Sequence, residues 1–349
     1  MNNDSKNNLF NEGKCKLSDE WSINDMKVIW MENDFLKTGI LAGRGCDIFE
    51  FRHKPLNLDF MLRLKKGIRN PQKDFSQMRH TPNQFEDYYY GGWQEILPNS
   101  PGFNYRGAEL GQHGEVSLIP WKYSILTDTP EKISVKFWTR PLRVPIKIEK
   151  TLTMVFDKAE LFIEEKLTNE SKTDLDIIWG QHIAFGLPFL KDGGKIETNA
   201  KKIISEEAMP PARRFKPGIE TDYPNCINID GSKDDASIIP PATDPPYSEL
   251  SYLSDFEGEG EYTIFNSGED IGFNLKWDSK LFKYLWLWQE RYSTQNSPWW
   301  GDAYAIALEP WTSMWKADAE KAIENGEWVK LKTNEPILTS LTASVLTKQ

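Results

Sequence analysis

Residues 146–168 show the clearest hydrophobic pattern of the 349-residue chain, an alternation with a period of two. In 146–156 the apolar side chains fall on one face of an extended chain: Ile146, Ile148, Leu152, Met154 and Phe156. The alternation resumes in 161–168. Because successive side chains of a strand point to opposite faces, this pattern predicts two half-buried strands. The four residues between them, 157–160, predict a hairpin.

Similar runs predict further strands along the rest of the chain, at 133–139, 261–265, 281–288, 328–332 and 337–346. Only 317–325 has the composition of a helix, which Gly326 would end. Many strands that follow one another with few helices are typical of antiparallel folds. The sequence therefore predicts an all-β protein, a large antiparallel β-sandwich with at most short helices.

One domain over residues 21–349 is expected, because no repeat, low-complexity linker or change of composition divides the chain. Residues 1–20 are polar, and we expect them to form a loosely attached N-terminal segment. The 14 Trp, 12 Tyr and 18 Phe residues predict an aromatic-rich core. A few of these rings could instead line a cleft and stack on the apolar face of a sugar.

The net charge of −10 argues against nucleic acid or an anionic membrane as a partner, because both require basic patches. The charge favours a neutral small-molecule ligand or no ligand. A monomer or homodimer without a cofactor is expected. The three cysteines form no disulfide or zinc pattern, and no run of about 18 apolar residues or signal peptide is present. We therefore expect a cytoplasmic protein.

Four histidines offer candidates for chemistry, but none lies in an HxH or HExxH spacing, so we expect no metal site. His53 and His80 are interpreted as ordinary loop or strand-end residues. His113 ends a glycine-rich run at 102–114, and an apolar strand is predicted after it at 115–121. Such a run can turn a side chain into a cleft, or it can be a hairpin loop with an incidental histidine.

His182 lies within the apolar and aromatic stretch 179–190 and is expected to be at least partly buried. Taken alone, this segment favours a core histidine whose ring nitrogens are hydrogen-bonded. Glu309 lies near the end of the apolar stretch 303–311, and Pro310 is expected to terminate that strand at the rim of a sheet. A carboxylate there could be buried and tuned as a base, or it could point into solvent.

Three passages taken together resemble the aldose 1-epimerase (galactose mutarotase) superfamily, which includes hexose-6-phosphate mutarotases. The passages are 91–99 leading into Gln112-His113-Gly114, then Gln181-His182 with Phe185, then Leu308-Glu309-Pro310. Their order and wide separation match the family, with 69 residues from His113 to His182 and 127 from His182 to Glu309. The resemblance extends over roughly residues 25–348 and implies a large antiparallel supersandwich fold.

The resemblance also implies a reaction, the exchange of the α and β anomers of an aldose through its open-chain form. Glu309 would remove the proton of the C1 hydroxyl as general base, and His182 would donate a proton to the ring oxygen. His113 would hold and polarise the same oxygen. A carboxylate and an imidazole can supply such acid–base catalysis near neutral pH without a metal or a covalent intermediate.

Several further residues are predicted to contact the sugar. They are Arg106, Gln181, Glu95, Gln289 and an indole ring of Trp286 or Trp288. The chain departs from the family pattern at Gln181, where asparagine is usual, and at Ile183-Ala184, which bears on which sugar is bound.

Two other classes of function remain open from the sequence. A carbohydrate-binding protein on the same fold would need no acid–base pair. A polysaccharide lyase or glycoside hydrolase is the third possibility, and a hydrolase would need a second carboxylate near Glu309. Glu95 and Glu290 are the candidates for that carboxylate.

Overall fold

The computed structural model describes residues 14–74, 84–208, 213–268 and 270–347. Residues 1–13, His80 and the Pro210-Pro211 pair therefore lie outside the described residues. Within the described part, the first strands are β1 (Lys16–Ile23), β2 (Met26–Glu32), β3 (Leu36–Leu41), β4 (Asp47–His53), β5 (Leu58–Asp59), β6 (Trp93–Ile96), β7 (Phe103–Tyr105), β8 (Ala108–Leu110), β9 (Lys122–Asp128), β10 (Lys132–Thr139), β11 (Ile146–Val155), β12 (Glu160–Asn169), β13 (Leu175–Ile177) and β14 (Gly180–Phe185). They are followed by β15 (Gly194–Thr198), β16 (Lys202–Ser205), β17 (Glu220–Asp222), β18 (Asn225–Ile227), β19 (Lys233–Asp235), β20 (Ile238–Ile239), β21 (Tyr247–Ser254), β22 (Gly260–Asn266), β23 (Ile271–Trp277), β24 (Tyr284–Arg291), β25 (Tyr304–Trp311), β26 (Val329–Leu331) and β27 (Ile337–Thr347). The helices are α1 (Gln84–Tyr88) and α2 (Ala319–Glu324).

The two large sheets have 12 and nine strands within the described residues, and their strand pairs are antiparallel. The larger sheet runs β1-β2-β3-β4-β6-β14-β25-β24-β21-β16-β17, with β5 paired to β4. The smaller runs β20-β15-β22-β23-β27-β12-β11-β10-β9. One continuous cluster of buried apolar side chains lies between them. The predicted all-β sandwich is thus confirmed.

The predicted hairpin is formed by β11 and β12, with Leu152 opposite Ile163. The apolar face of β11 points into the core, as the alternation indicates. Lys150 lies on this same inward face and is 1% exposed. Its ammonium group pairs with the carboxylates of Glu95 and Glu165, which explains how a lysine is accommodated among apolar neighbours.

The helix predicted at 317–325 is present as α2, where the Asp318 side chain accepts a hydrogen bond from the Lys321 N–H and Gly326 follows with φ of 72°. Two local predictions were wrong. Residues 115–121 form turns rather than a strand, although Val116 and Trp121 are buried. Residues 16–20 are not loosely attached, because they form part of β1 and pair with β2.

The strands β14, β24 and β25 are buried on both faces, and this arrangement places the candidate site. One face carries Ile183, Leu287 and Leu308 into the core between the sheets. The opposite face carries Ala184 and Ala307 into a second apolar cluster with Trp286 and Trp311. Loops and α1 cover this second face. We call it the outer face of the large sheet.

Glu309 does not lie at a sheet rim, contrary to the sequence expectation, because β25 continues through Pro310 to Trp311. Between β14 and β25 the paired residues are Gly180 with Trp311 and Ala184 with Ala307, and the pairing is interrupted between them. Pro310 lies in this interruption, where its missing N–H group leaves no ladder hydrogen bond broken. Among the described residues, no helix is long and apolar enough to cross a membrane.

Candidate functional site

A cavity of about 310 Å³ opens on the outer face of the large sheet. It contains all three residues proposed for chemistry, His113, His182 and Glu309. Its described lining residues are Phe85, Glu86, Tyr89, Gln112, His113, His182, Glu206, Ala208, Leu250, Trp286, Trp288, Trp299, Glu309 and Trp315. A larger hollow of about 710 Å³, lined by Arg63, Arg69 and Asn70 among others, contains none of the three.

His182 and Glu309 come from neighbouring strands and lie opposite each other where the β14–β25 pairing is interrupted. The distance from His182 Nε2 to Glu309 Oε1 is 3.5 Å. Both side chains are buried, with the two residues 6% and 2% exposed. This separation places the two groups near one another while leaving Glu309 Oε1 and the imidazole available to a ligand.

His113 approaches from the loop after β8 in a left-handed backbone conformation, with φ of 62°. The backbone N–H of His113 donates to the Ser100 carbonyl at 2.9 Å. The His113 ring lies 5.6 Å from the His182 ring, between centroids. The next residue, Gly114, also has positive φ, and a Cβ there would lie 2.0 Å from the Leu97 carbonyl oxygen. Only glycine fits at that position, so the glycine-rich run places the imidazole in the cavity.

Burial sets the protonation of the site. It raises the pKa of Glu309 to about 8 and lowers that of His113 to about 3. The pKa of His182 is also well below its usual value, because of burial and the neighbouring His113. Among the described residues His182 Nδ1 has no hydrogen-bond partner. At neutral pH these shifts favour a protonated Glu309 carboxyl group and two neutral imidazoles.

Glu309 is anchored through one of its two oxygens. The indole N–H of Trp311 donates to Glu309 Oε2 at 2.8 Å, which opposes the effect of burial on the pKa of the carboxyl group. Trp311 stacks on Trp286 at 4.2 Å between ring centroids and 15° between planes. A Cβ at Gly180 would lie 2.3 Å from the Trp311 ring, so the glycine makes room for this indole. Oε1 remains turned to His182.

Aromatic rings form one wall of the cavity. Trp288, predicted as a sugar contact, lines it and lies 6.0 Å from the His182 ring, between centroids. Trp299 lies 5.6 Å from Trp288 and 5.8 Å from Tyr89. Flat apolar faces next to polar groups are suited to a ligand with both apolar and hydroxyl surfaces, as sugars have.

Gln181 and Glu95 lie on the other face of the sheet and do not reach the cavity. The Gln181 amide N–H donates to Glu95 Oε1 at 2.9 Å, and the Trp93 indole donates to Gln181 Oε1 at 2.7 Å. Glu95 also pairs with Lys150. Since Gln181 precedes His182 in a strand, the two side chains must point to opposite faces, which explains why the predicted sugar contact is absent.

Gln289 and Arg106 are likewise outside the cavity. Gln289 follows Trp288 in β24, so it faces inward, where its carbonyl accepts from the Tyr247 hydroxyl at 2.8 Å. Arg106 lies on the hairpin of β7 and β8 and pairs with Asp176 at 3.3 Å. Neither residue has geometric support as a substrate contact.

Sequence reasoning did not identify several lining residues. Among them are Phe85 in α1, Tyr89 directly after α1, Glu206 and Trp299. The Phe85 ring packs against His113 at 4.5 Å between centroids. Helix α1 spans five residues and has no readable period, and Glu206 lies in a polar stretch without a motif. Only the Trp299-Trp300 pair, beside Pro298 and Gly301, stands out in the sequence as a loop rich in aromatic residues.

The chain was compared with known families, curated proteins and solved structures. The family described as "Domain of unknown function (DUF4432)" matches residues 24–345. No curated protein matches the chain. A provisionally named aldose 1-epimerase from Klebsiella pneumoniae has a similar structure, with a TM-score of 0.69 and 13% identity over 96% of this chain and 83% of that chain.

Two further structures are similar along most of their length. A galactose mutarotase-like protein from Clostridium acetobutylicum has a TM-score of 0.61 and 15% identity, covering 96% of this chain and 99% of that chain. A galactose mutarotase-like protein from Lactobacillus casei has a TM-score of 0.58 and 17% identity, covering 91% and 100%. These likenesses show the fold. The chain belongs to the DUF4432 family and has the galactose mutarotase-like fold.

Proposed function

We propose that this protein catalyses the exchange of α and β anomers of an aldose by general acid–base ring opening. The observation that carries the proposal is the pair of Glu309 and His182, which face each other 3.5 Å apart in a cavity of about 310 Å³. That volume is near the lower end of the range for small-molecule sites and suits a single sugar ring.

Ring opening requires one proton to leave the anomeric hydroxyl and one to reach the ring oxygen, and both oxygens are bonded to C1. Glu309 accepts the hydroxyl proton, and His182 donates to the ring oxygen as the C1–O5 bond breaks and the C1=O1 bond forms. His113 holds and polarises the ring oxygen. Rotation about C1–C2 presents the other carbonyl face, and the same groups close the ring with their roles reversed.

The proposed acid–base pair needs only one proton between its two members. Burial favours this proton on Glu309, because it raises the pKa of the carboxyl group and lowers that of His182. Sugar hydroxyls that donate to Glu309 would lower the pKa of the carboxyl group and favour the form with the proton on His182. The proton is therefore already in the site, and no metal or covalent intermediate is needed.

The aromatic wall supports a sugar as the ligand. Trp288 and Trp299 offer ring faces beside the acid–base pair. We further propose that the protein is cytoplasmic and acts as a monomer or homodimer without a cofactor.

Two-dimensional NMR exchange spectroscopy on a panel of aldohexoses, aldopentoses, deoxy sugars and sugar phosphates tests the proposal. We expect faster anomer exchange for at least one sugar, and its loss in both His182→Ala and Glu309→Ala. Glu164→Gln is the matched control, because Glu164 is exposed on the other sheet. Exchange that survives both cavity substitutions would contradict the assigned roles.

The same spectra separate the two alternative functions. Sugar binding without faster exchange would support a carbohydrate-binding protein. New product signals from an oligosaccharide or polysaccharide added to the panel would support a hydrolase or lyase, because only such a substrate has a glycosidic bond to break. The carboxylates first considered as hydrolase partners are engaged elsewhere: Glu95 pairs with Lys150 between the sheets, and Glu290 accepts hydrogen bonds from Ser293 and Thr294. Neither lines the cavity.

A further inference from the structure

The charged side chains that line the cavity are of one sign within the described part of the chain. Glu86, Glu206 and Glu309 line it, and no described lysine or arginine does. Glu309 lies at the acid–base pair, and burial keeps a proton on it at neutral pH. The electrostatic character of the remaining wall therefore depends on Glu86 and Glu206.

Glu206 is fixed in place by two donors. The Tyr252 hydroxyl donates to Glu206 Oε2, and the Ala208 N–H donates to Oε1 at 2.8 Å. Tyr252 packs on the cavity residue Trp286 at 5.5 Å between centroids. Both side-chain oxygens of Glu206 therefore accept hydrogen bonds, which fix an acidic side chain in the cavity wall.

The cations beside the rim are engaged with protein groups. Lys66 donates to the Glu86 backbone carbonyl at 2.6 Å and offsets the charge of the Glu86 side chain. Arg213 pairs with the buried Glu249 at 3.6 Å. Neither cation lines the cavity. Lys66 also lies 5.8 Å from the Trp299 ring centroid, and Arg213 donates to the Glu206 backbone carbonyl. Both cations thus contact wall residues, but among the described residues the charged side chains that line the cavity itself are acidic.

The aromatic rings of the wall add to this polarity. Indole faces carry negative charge density and attract an ammonium group. Trp286, Trp288, Trp299 and Trp315 all line the cavity. A positively charged substituent is therefore compatible with the wall, whereas a phosphate or carboxylate is repelled.

We infer that the cavity selects neutral and amino sugars over acidic ones, and that Glu206 is the residue that rejects phosphate- and carboxylate-bearing aldoses. This inference rests on the proposed function and specifies its substrate class. Glu206 acts by electrostatic repulsion of an anionic group on the ligand. It takes no part in proton transfer at C1.

One parent sugar and three of its derivatives test the inference. The parent is the neutral aldose with the fastest exchange in the panel, and it is compared with its 2-amino-2-deoxy, terminal phosphate and terminal carboxylate forms. We expect kcat/KM for the amino sugar to equal or exceed that of the parent. For the two anionic forms we expect kcat/KM to be lower by at least about tenfold. Equal or faster exchange of an anionic form would overturn the inference.

Glu206→Gln keeps the shape and removes the charge. We expect the ratio of kcat/KM for the phosphate to that for the parent to rise about fivefold, as loss of one like charge at close range implies. Glu164→Gln removes the same charge from the other sheet and should leave the ratio unchanged. An unchanged ratio in Glu206→Gln would contradict the assignment of this residue.

A salt series on the unmodified protein gives a second readout that does not depend on a variant folding. Discrimination against the phosphate should decrease as NaCl rises from about 0.05 M to about 0.5 M, because screening shortens the range of the repulsion. Discrimination that is independent of salt would count against an electrostatic origin. If no sugar of any charge exchanges faster, the proposed function itself fails, and this result is distinct from a failure of selectivity.

Discussion

The two faces of the central strands in the large sheet bury ionisable groups in different ways. On the face toward the smaller sheet, Lys150 pairs with Glu95 and Glu165. On the outer face, Glu309 is anchored by one indole N–H, and His182 Nδ1 has no described partner. Buried charges that are paired cannot lose one partner without a large loss of stability, whereas buried groups left short of partners beside a cavity remain available to a ligand.

The largest expected effect is on the outer face. Glu309→Gln should lower anomer exchange by about 10²–10⁴-fold, because it removes the proposed general base. It should not lower the free energy of unfolding at pH 7, since burial raises the pKa of Glu309 to about 8 and Gln therefore replaces an uncharged carboxyl group of similar shape. NMR exchange and urea unfolding measure the two quantities. Loss of stability together with activity would place Glu309 with the structural charges.

The inner face should give the opposite result. Lys150→Met leaves Glu95 and Glu165 buried without a cation, and we expect it to lower the free energy of unfolding by about 3–5 kcal/mol. The folded fraction should keep most of its exchange activity. Lys147→Met is the control, since this residue forms a partly exposed pair with Glu149 and should change stability by about 1 kcal/mol or less. Urea unfolding provides the measurement.

The pH dependence of stability sharpens the comparison further. The pKa of Glu309 is raised to about 8 in the folded protein, so its stabilising contribution is complete below the unfolded value of about 4.5 and is lost as the pH rises to about 8. Between these two pH values, the free energy of unfolding of the unmodified protein should fall by on the order of 3–5 kcal/mol relative to that of Glu309→Gln. Unfolding curves between about pH 5 and about pH 8.5 report this loss. If the difference in free energy of unfolding between the two proteins does not vary with pH, the pKa of Glu309 is not raised.

A smaller effect is expected for the residue that anchors the carboxyl group. Trp311→Phe keeps a ring on Trp286 but removes the donor to Glu309 Oε2, so the pKa of Glu309 should rise further. We expect exchange to fall about tenfold, the size of one hydrogen bond to a charged group. The alkaline limb of the profile of kcat/KM against pH should move to higher pH. An activity loss with an unmoved limb would indicate a purely steric role.

Much of the fold could be predicted because the information is local. Alternation in 146–168 specifies a hairpin without reference to the rest of the chain, and the composition of 317–325 with Gly326 specifies a short helix. The failures concern partners distant in sequence. Pro310 was taken to end a strand, but the interrupted pairing of β14 with β25 lets the strand continue.

The candidate site was predicted in part. His113, His182, Glu309 and Trp288 line one cavity, whereas Gln181, Glu95, Gln289 and Arg106 do not. The alternation itself could have excluded two of these, because Gln181 next to His182 and Gln289 next to Trp288 must face the other way. Their roles in the reaction stay predictions until exchange is measured.

By itself the sequence determined that the chain forms antiparallel sheets, and it determined the order in which two histidines and a glutamate occur. Side-chain alternation and turn chemistry act over a few residues, so they can be read directly from the chain. Only the tertiary structure decided that His182 faces Glu309 across two strands, that burial raises the pKa of Glu309 and lowers that of His182, and that α1 and the loop containing Trp299 cover the cavity. These features depend on contacts between residues far apart in the sequence, such as His182 and Glu309, which are separated by 127 positions. No local pattern specifies such contacts.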